Sequence, residues 1–425
     1  MKWLPRSNRS RIAVRLGLLL LIGALAAGCD GRQVTSTGPA AQPSKLTFAY
    51  PDDAATGAAA AAWLKAYSAA RPEVQITSQP LPAQDYPQQL LGRLDATAPD
   101  MFVSLDTQLP ALIKRGALFD INPLADDMKL KLEDFQPAGL AAWQRGSALY
   151  GLPADLTPMV MFYNRDLFAA AGVPEPMPGW TWDDWLADAQ KLTVTSNGQV
   201  SRHGTAIGAW TAMVWGNGGE LISPDGKRLL LDSPQAAAGV QFAADMINVH
   251  HVAPPPQIAG GPEPVQLFKE QKVAMLPASS GLAASLLQAN LPFKWAIAPF
   301  PTGAVTATPV SVAGLALSAK GQNQRAALDF AAWVAGPDGQ AAAANARPFA
   351  APALRTAAAR PAGVPGAEAI FQSAAFGRIL PQVEQWPAIA DSINQALIPV
   401  WKGQETAARA YARVAPKIND MLITG

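Results

Sequence analysis

The chain is short of the residues that most catalytic and metal chemistry needs. One Cys in 425 residues excludes an internal disulfide and leaves that thiol in need of another role. Three His residues are too few for most metal or acid–base schemes, and His250 and His251 are adjacent, so on a helix they do not share a face. No metal site and no cofactor is predicted. Charge is sparse and balanced, with 15% charged residues and a net charge of +1, and past the N-terminus no basic cluster offers a footprint for a nucleic-acid backbone. The chain has no G-x-S-x-G elbow, no G-x-x-x-x-G-K-[ST] phosphate loop and no G-x-G-x-x-G fingerprint; GNGG at 216–219 and DGK at 225–227 lack the spacing. Adjacent carboxylates such as Asp52 and Asp53 could serve glycosidic hydrolysis, but such pairs are common on solvated turns. No enzyme is expected, and a membrane-tethered glycoside hydrolase is the alternative of another class.

The apolar stretch 16–27 is too short for a comfortable membrane span, and it follows Lys2, Arg6, Arg9, Arg11 and Arg15. Residues 1–28 therefore read as a signal peptide. The stretch ends in LAAGC, 25–29, which resembles a lipobox, with Ala26 where Leu is usual. The resemblance makes Cys29 the expected lipidated residue, and Asp30 after it resembles the signal for retention at the inner membrane. Residues 29–44 have almost no large apolar side chains and read as a flexible tether. The expectation is a lipid-anchored protein on the periplasmic face of a bacterial inner membrane, or on the outer face of the cell membrane in a Gram-positive organism.

What is present is apolar: 49% of the residues are hydrophobic, enough for a large core divided in two. From residue 45 short apolar runs alternate with helical stretches, the pattern of an α/β fold with largely parallel strands. Strands are expected at 45–50, 74–81 and 100–105, with helices at 54–70, 86–96 and 109–115. This is a doubly wound unit whose ligands belong beyond the carboxyl ends of the strands. Those ends carry Tyr50 and Asp52 after the first strand, and Ser104 and Asp106 after the third. Thr181 and Asp184 approximate a capping box, which makes Trp180, Trp182 and Trp185 architectural. A hairpin is expected around Asp225-Gly226, followed by a helix from Ser233 or Pro234 through Asn248. Further on come a helix at 265–271, strands at 272–276, 294–300 and 309–318, PASSG (277–281) as a separate segment, a helix at 324–335, and a chiefly helical tail at 389–422.

The stretch YGLPADLTPMVMFYNRDLF, 150–168, followed by an Ala-Gly and then T-W-D, resembles the signature of the family 1 extracellular solute-binding proteins of ABC importers. Ordered agreement comes from VWGNGGELISPDGK (214–227), LFKEQKVAM (267–275, Gln271 in place of Gly), VAGLALSAKGQNQRAALDFAAWVAGPDGQ (312–340) and VWKGQETAARA (400–410). The resemblance implies a periplasmic-binding-protein-like α/β fold: two Rossmann-like lobes, a multi-strand hinge and an interlobe ligand cleft. The lobes are expected at 45–154 plus 313–350 and at 155–312 plus 351–425. YGLPADLTP becomes a hinge strand with Asp155 and Thr157 facing the cleft, and MVMFYN the first strand of the second lobe. The implied partners are a small polar solute and the permease subunits of the importer, and a monomer is expected.

The resemblance also nominates a site. Asp106 stands where relatives often carry an acidic ligand residue, with a helix N-cap as the equal alternative. Trp210 and Trp215 stand where they often supply stacking aromatics, core packing being the rival. Ser279 and Ser280 replace the Trp-containing segment of many sugar binders, and AM-x-x-ASSG is similar to the glycerol-3-phosphate binders. Gly314 can present a bare backbone N–H, and Trp386 can close the cleft from the second lobe. Arg347, Arg355 and Arg378 are candidates for a phosphate clamp. Two ligand classes stay open: a mono- or oligosaccharide, which is favoured, and glycerol-3-phosphate or a glycerophosphodiester.

Overall fold

Local signals set most element boundaries. Asp53 accepts from the backbone N–H groups of Ala55 and Thr56 at 3.0 and 2.8 Å, which starts the helix Ala54–Ala70; its Thr56, Ala59, Ala60, Trp63 and Tyr67 fall on one buried stripe. Asn164 caps the helix Arg165–Ala171 by accepting from Leu167 N–H at 3.0 Å, and Gly172 ends it at φ 65°. Thr181 and Asp184 form the expected reciprocal cap, at 2.8 and 3.2 Å, ahead of the helix Trp182–Leu192. The indole N–H groups of Trp180, Trp182 and Trp185 donate to Pro299 O, Pro301 O and Thr205 Oγ1 at 2.8, 3.2 and 3.0 Å. That satisfies each ring from within the fold, as an architectural role requires.

The computed structural model describes residues 44–357 and 363–424; the signal segment and Cys29 lie outside the described residues. In chain order its strands are β1 (Ser44–Asp52), β2 (Val74–Pro82), β3 (Met101–Leu105), β4 (Gln144–Arg145), β5 (Ala148–Leu149), β6 (Gly151–Asn164), β7 (Val194–Ser196), β8 (Gln199–Thr205), β9 (Val273–Ser279), β10 (Trp295–Pro299), β11 (Thr308–Leu317), β12 (Ala351–Pro352) and β13 (Gly377–Arg378). All but the β4–β5 hairpin join one sheet whose main path runs β2-β1-β3-β11-β6-β9-β8-β7. The first three strands are parallel, joined by helices on the expected residues, Ala54–Ala70 and Tyr86–Ala96.

The spine of the molecule is β6, a single strand of 14 residues. Gly151 to Pro158 pair with β11, and Met159 to Asn164 pair with β9 on one side and β10 on the other. The sequence suggests a hinge strand followed by a separate strand; one unbroken strand covers both stretches. Pro153 is tolerated because it stands opposite Gly314 where the register slips, so the missing N–H falls at an irregularity. The short β12 adds to the same stretch, pairing Ala351 and Pro352 with Leu156 and Asp155.

Two further departures have simple causes. PASSG does not leave the sheet: Pro277, Ala278 and Ser279 continue β9 opposite Met161, Val160 and Met159, because pairing with a central strand outweighs turn-forming composition. The hairpin of β7 and β8 was not foreseen, although Asn197 and Gly198, at φ 53° and 75°, are the Asn-Gly pair that such a turn favours.

Side chains of β6 alternate between two cores. Val160 and Phe162 enter one that also holds Phe48, Phe102, Trp143 and Phe330, while Met161 and Tyr163 enter another built on Trp185, Trp215, Trp401 and Tyr411. Among the described residues no helix is long and apolar enough to cross a membrane.

The interlobe cleft as candidate binding site

At the carboxyl end of β3 the chain turns through Asp106–Gln108. Ser104 Oγ and Leu105 N–H both donate to Gln108 Oε1, at 2.8 and 3.1 Å, so Gln108 closes the turn and Asp106 is not its cap. The carboxylate of Asp106 instead accepts from Val312 N–H on β11 at 3.2 Å and from Gln382 Nε2 at 3.4 Å. It is 1% exposed. Burial pushes its pKa up to about 6, against the opposing pull of backbone N–H groups and Arg145.

Arg145 comes from the β4–β5 hairpin, whose turn Gly146 makes at φ 56°. Its Nη2 donates to Gln382 Oε1, while its Nε is buried with no partner among the described residues. Burial lowers its pKa to about 10, with Asp106 acting in the opposite sense. Gln382 therefore bridges an acid and a base that both come from earlier in the chain.

Gln382 lies in the stretch between β13 and the helix Trp386–Trp401. Two residues on, Glu384 Oε2 meets Lys114 Nζ at 2.7 Å, a second tie to the β3 side of the molecule. On the other side, Arg378 Nη2 meets Glu220 Oε2 at 2.6 Å and its Cζ stands 5.4 Å from the centroid of the Trp215 ring. Trp386, at the start of the helix, is 6.5 Å from Trp210, whose indole N–H donates to Asn394 Oδ1 at 3.0 Å. The structure thus joins Asp106 with Arg378, Trp210, Trp215 and Trp386 through the single stretch 378–386.

The remaining nominated residues fall elsewhere or are engaged by packing. Tyr50 is buried with its ring 5.3 Å from Phe48, whereas Asp52 is exposed at the end of β1. Asp155 is 1% exposed and faces Arg347 Nε at 2.8 Å, so these two candidates engage each other. Thr157 is partly exposed beside Ser311 O. Ser279 is exposed at the end of β9; Ser280 is fully buried and donates to Phe349 O at 2.7 Å. Gly314 is required by packing: a Cβ there would stand 2.4 Å from Leu152 O and 2.5 Å from the Trp143 ring. Trp215 is 2% exposed in the second core, so core packing claims much of its ring. Arg355 donates to the backbone carbonyl of Glu133.

Sequence reasoning missed Arg145, Gln382, Glu220, Glu384 and Lys114. Arg145 had a signal, a lone cation in the otherwise uncharged AAWQRGSALYG just ahead of the hinge strand. Gln382 had none, since its partners are over 200 residues away in sequence.

The chain matches the family model described as bacterial extracellular solute-binding protein over residues 50–341. An uncharacterized lipoprotein of Streptomyces antibioticus is 27% identical over 345 residues, which is 76% of this chain and 72% of that one. Among solved structures, the cyclic alpha-maltosyl-1,6-maltose binding protein of Arthrobacter globiformis superposes with a TM-score of 0.78 at 20% identity, covering 90% of this chain and 100% of that one. UgpB of Mycobacterium tuberculosis, in complex with glycerophosphocholine, superposes with a TM-score of 0.71 at 19% identity, covering 89% and 98%. With a long single strand running between two α/β halves, and a family model spanning most of it, the chain belongs to the bacterial extracellular solute-binding proteins, the capture components of ABC importers, and has their two-lobed, hinged fold.

Proposed function

We propose that the protein captures an uncharged sugar in the cleft between its lobes, 45–154 plus 313–350 and 155–312 plus 351–425, and presents the closed form to a membrane permease. The observation that carries this reading is the engagement of the arginines that a phosphate would need. Arg347 is held by Asp155, Arg378 by Glu220 and the Trp215 face, and Arg355 by Glu133 O. A phosphate taking Arg378 would also meet the Glu220 carboxylate, a like-charge cost that a neutral polyol avoids. Carboxylates and amides take sugar hydroxyls, and indole faces take the apolar faces of the ring. Binding energy then favours the closed form because a solute that touches both walls makes contacts which the open form lacks.

The protein binds without catalysing, acts as a monomer and is held at the membrane by a lipid on Cys29; the lipoprotein relative from Streptomyces supports the anchor. The similarity to the maltosyl-maltose binding protein supports the sugar reading. A glycerophosphodiester is the second reading, favoured by the buried, unpartnered Nε of Arg145 and by the similarity to UgpB.

A thermal-shift panel of mono- and oligosaccharides beside glycerol-3-phosphate and glycerophosphocholine, at low and high salt, separates the two. A native-state ligand adds RT ln(1 + [L]/Kd) to stability. The expected result is a shift with a sugar that salt leaves unchanged; a shift confined to the phosphate compounds and weakened by salt overturns the sugar reading.

A further inference from the structure

A second cavity lies at the root of β11, apart from the residues of the cleft. Its volume is about 330 Å³, and Pro178, Pro299, Phe300 and Phe376 wall it together with Thr308 and Ser373. Among the described residues no charged side chain lines it. Three of its hydroxyls are already engaged: those of Thr302 and Thr306 lie 3.2 Å apart, and that of Thr308 donates to Met159 O at 2.7 Å. Ser373 differs. It is 5% exposed, and among the described residues its hydroxyl has no hydrogen-bond partner. Buried hydroxyls are almost always satisfied, so an unsatisfied one on a residue of a cavity wall marks a place for a partner. Phe376 is unusual in the opposite way, since its ring is 52% exposed while facing the same cavity.

We propose that this cavity is a second binding site, for an uncharged molecule with a compact ring system and one hydrogen-bonding group. The size is at the small end of ligand pockets, which are mostly apolar with a few placed polar groups. The rings of Phe300 and Phe376 and the two prolines take the apolar body, and the Ser373 hydroxyl, turned about χ1 from its buried position, takes the polar group. A charged ligand is excluded because nothing in the lining offsets the loss of its hydration. The occupant rests on the hinge: Thr308 is the first residue of β11, and its N–H donates to Phe376 O at 3.2 Å. The site is independent of the identity of the solute in the cleft.

The test uses 2-naphthol at neutral pH, where it is uncharged, with the whole chain and titration calorimetry. One molecule is expected to bind. Ser373→Ala should weaken it about fivefold through loss of one hydrogen bond, and Phe376→Ala should weaken it about tenfold through loss of a ring contact. Phe376 is exposed, so that variant keeps its fold, and its melting temperature checks this. Trp210→Ala, which alters the cleft alone, should leave 2-naphthol affinity unchanged. No binding to the native chain, or binding lost in Trp210→Ala and kept in Phe376→Ala, overturns the proposal, the latter because the probe then sits in the cleft.

Discussion

Asp155 and Asp106 are both 1% exposed and both lie near the middle of the sheet, yet their surroundings differ in kind. Asp155, on the hinge stretch of β6, faces a guanidinium at 2.8 Å. Asp106, at the end of β3, has a backbone N–H and an amide within reach, and the cation that acts on it, Arg145, donates to that amide rather than to the carboxylate itself. A direct buried ion pair ties two segments together, and removing one partner strands the other. A buried acid held only by neutral donors is under less electrostatic restraint and keeps acceptor capacity for something else. The first arrangement suits a hinge, and the second suits a wall that meets a ligand.

The comparison breaks most visibly at Arg347. Arg347→Ala should cost about 3–5 kcal/mol in urea denaturation, because it leaves the Asp155 carboxylate buried without its cation. A loss below that of Asp106→Asn would reverse the roles assigned to the two acids.

The pH dependence of Asp106 comes next in size. Its folded pKa, about 6, lies above its unfolded value near 3.8. The folded state therefore holds this proton more tightly, and the associated stability is present below about pH 4 and lost as pH rises through 6. Between pH 4 and 7 the native protein should lose about 2–3 kcal/mol relative to Asp106→Asn, the amide having no proton to release. Parallel stability curves would place Asp106 in contact with a direct cation after all.

A smaller effect sharpens the ligand side. Trp210→Ala should reduce solute affinity by on the order of 1–2 kcal/mol if its ring is a stacking surface, with little change in stability since it is only partly buried. Equal losses in affinity and stability would make Trp210 a packing residue. The smallest effect belongs to the tie between Lys114 and Glu384, whose side chains are 64% and 39% exposed. Lys114→Ala should change stability by less than about 1 kcal/mol, and less again at high salt.

Where an element is governed by nearest neighbours, its sequence was enough. The helices Ala54–Ala70, Tyr86–Ala96, Pro234–Asn248 and Gln324–Ala335 occupy the expected residues, because the apolar period and a starting signal, such as Asp53, Ser233 or Asn323, lie within a few positions of each other. The capping box at Thr181 and the left-handed Gly172 were legible for the same reason. Of the site, the sequence nominated Asp106, Trp210, Trp215, Arg378 and Trp386, which the structure does gather around the stretch 378–386. It also nominated Ser280 and Gly314, whose side-chain chemistry and lack of a Cβ are accounted for by Phe349 O and the Trp143 ring. No local pattern distinguishes a serine that meets a ligand from one that meets a distant carbonyl.

The amino-acid sequence by itself determined the alternation of strands and helices, the apolar core and the ends of most helices, since these follow from periodicity, caps and turn residues acting over one or two turns of chain. The tertiary structure alone decided that β6 runs unbroken through both halves, that Asp155 is neutralised by Arg347, and that Arg145 reaches Asp106 by way of Gln382. The physical reason is separation: Gln382 lies 237 residues from Arg145 and 276 from Asp106. Only packing of the two halves around the shared strand brings such groups within hydrogen-bond reach, and burial then raises the pKa of Asp106 and lowers that of Arg145.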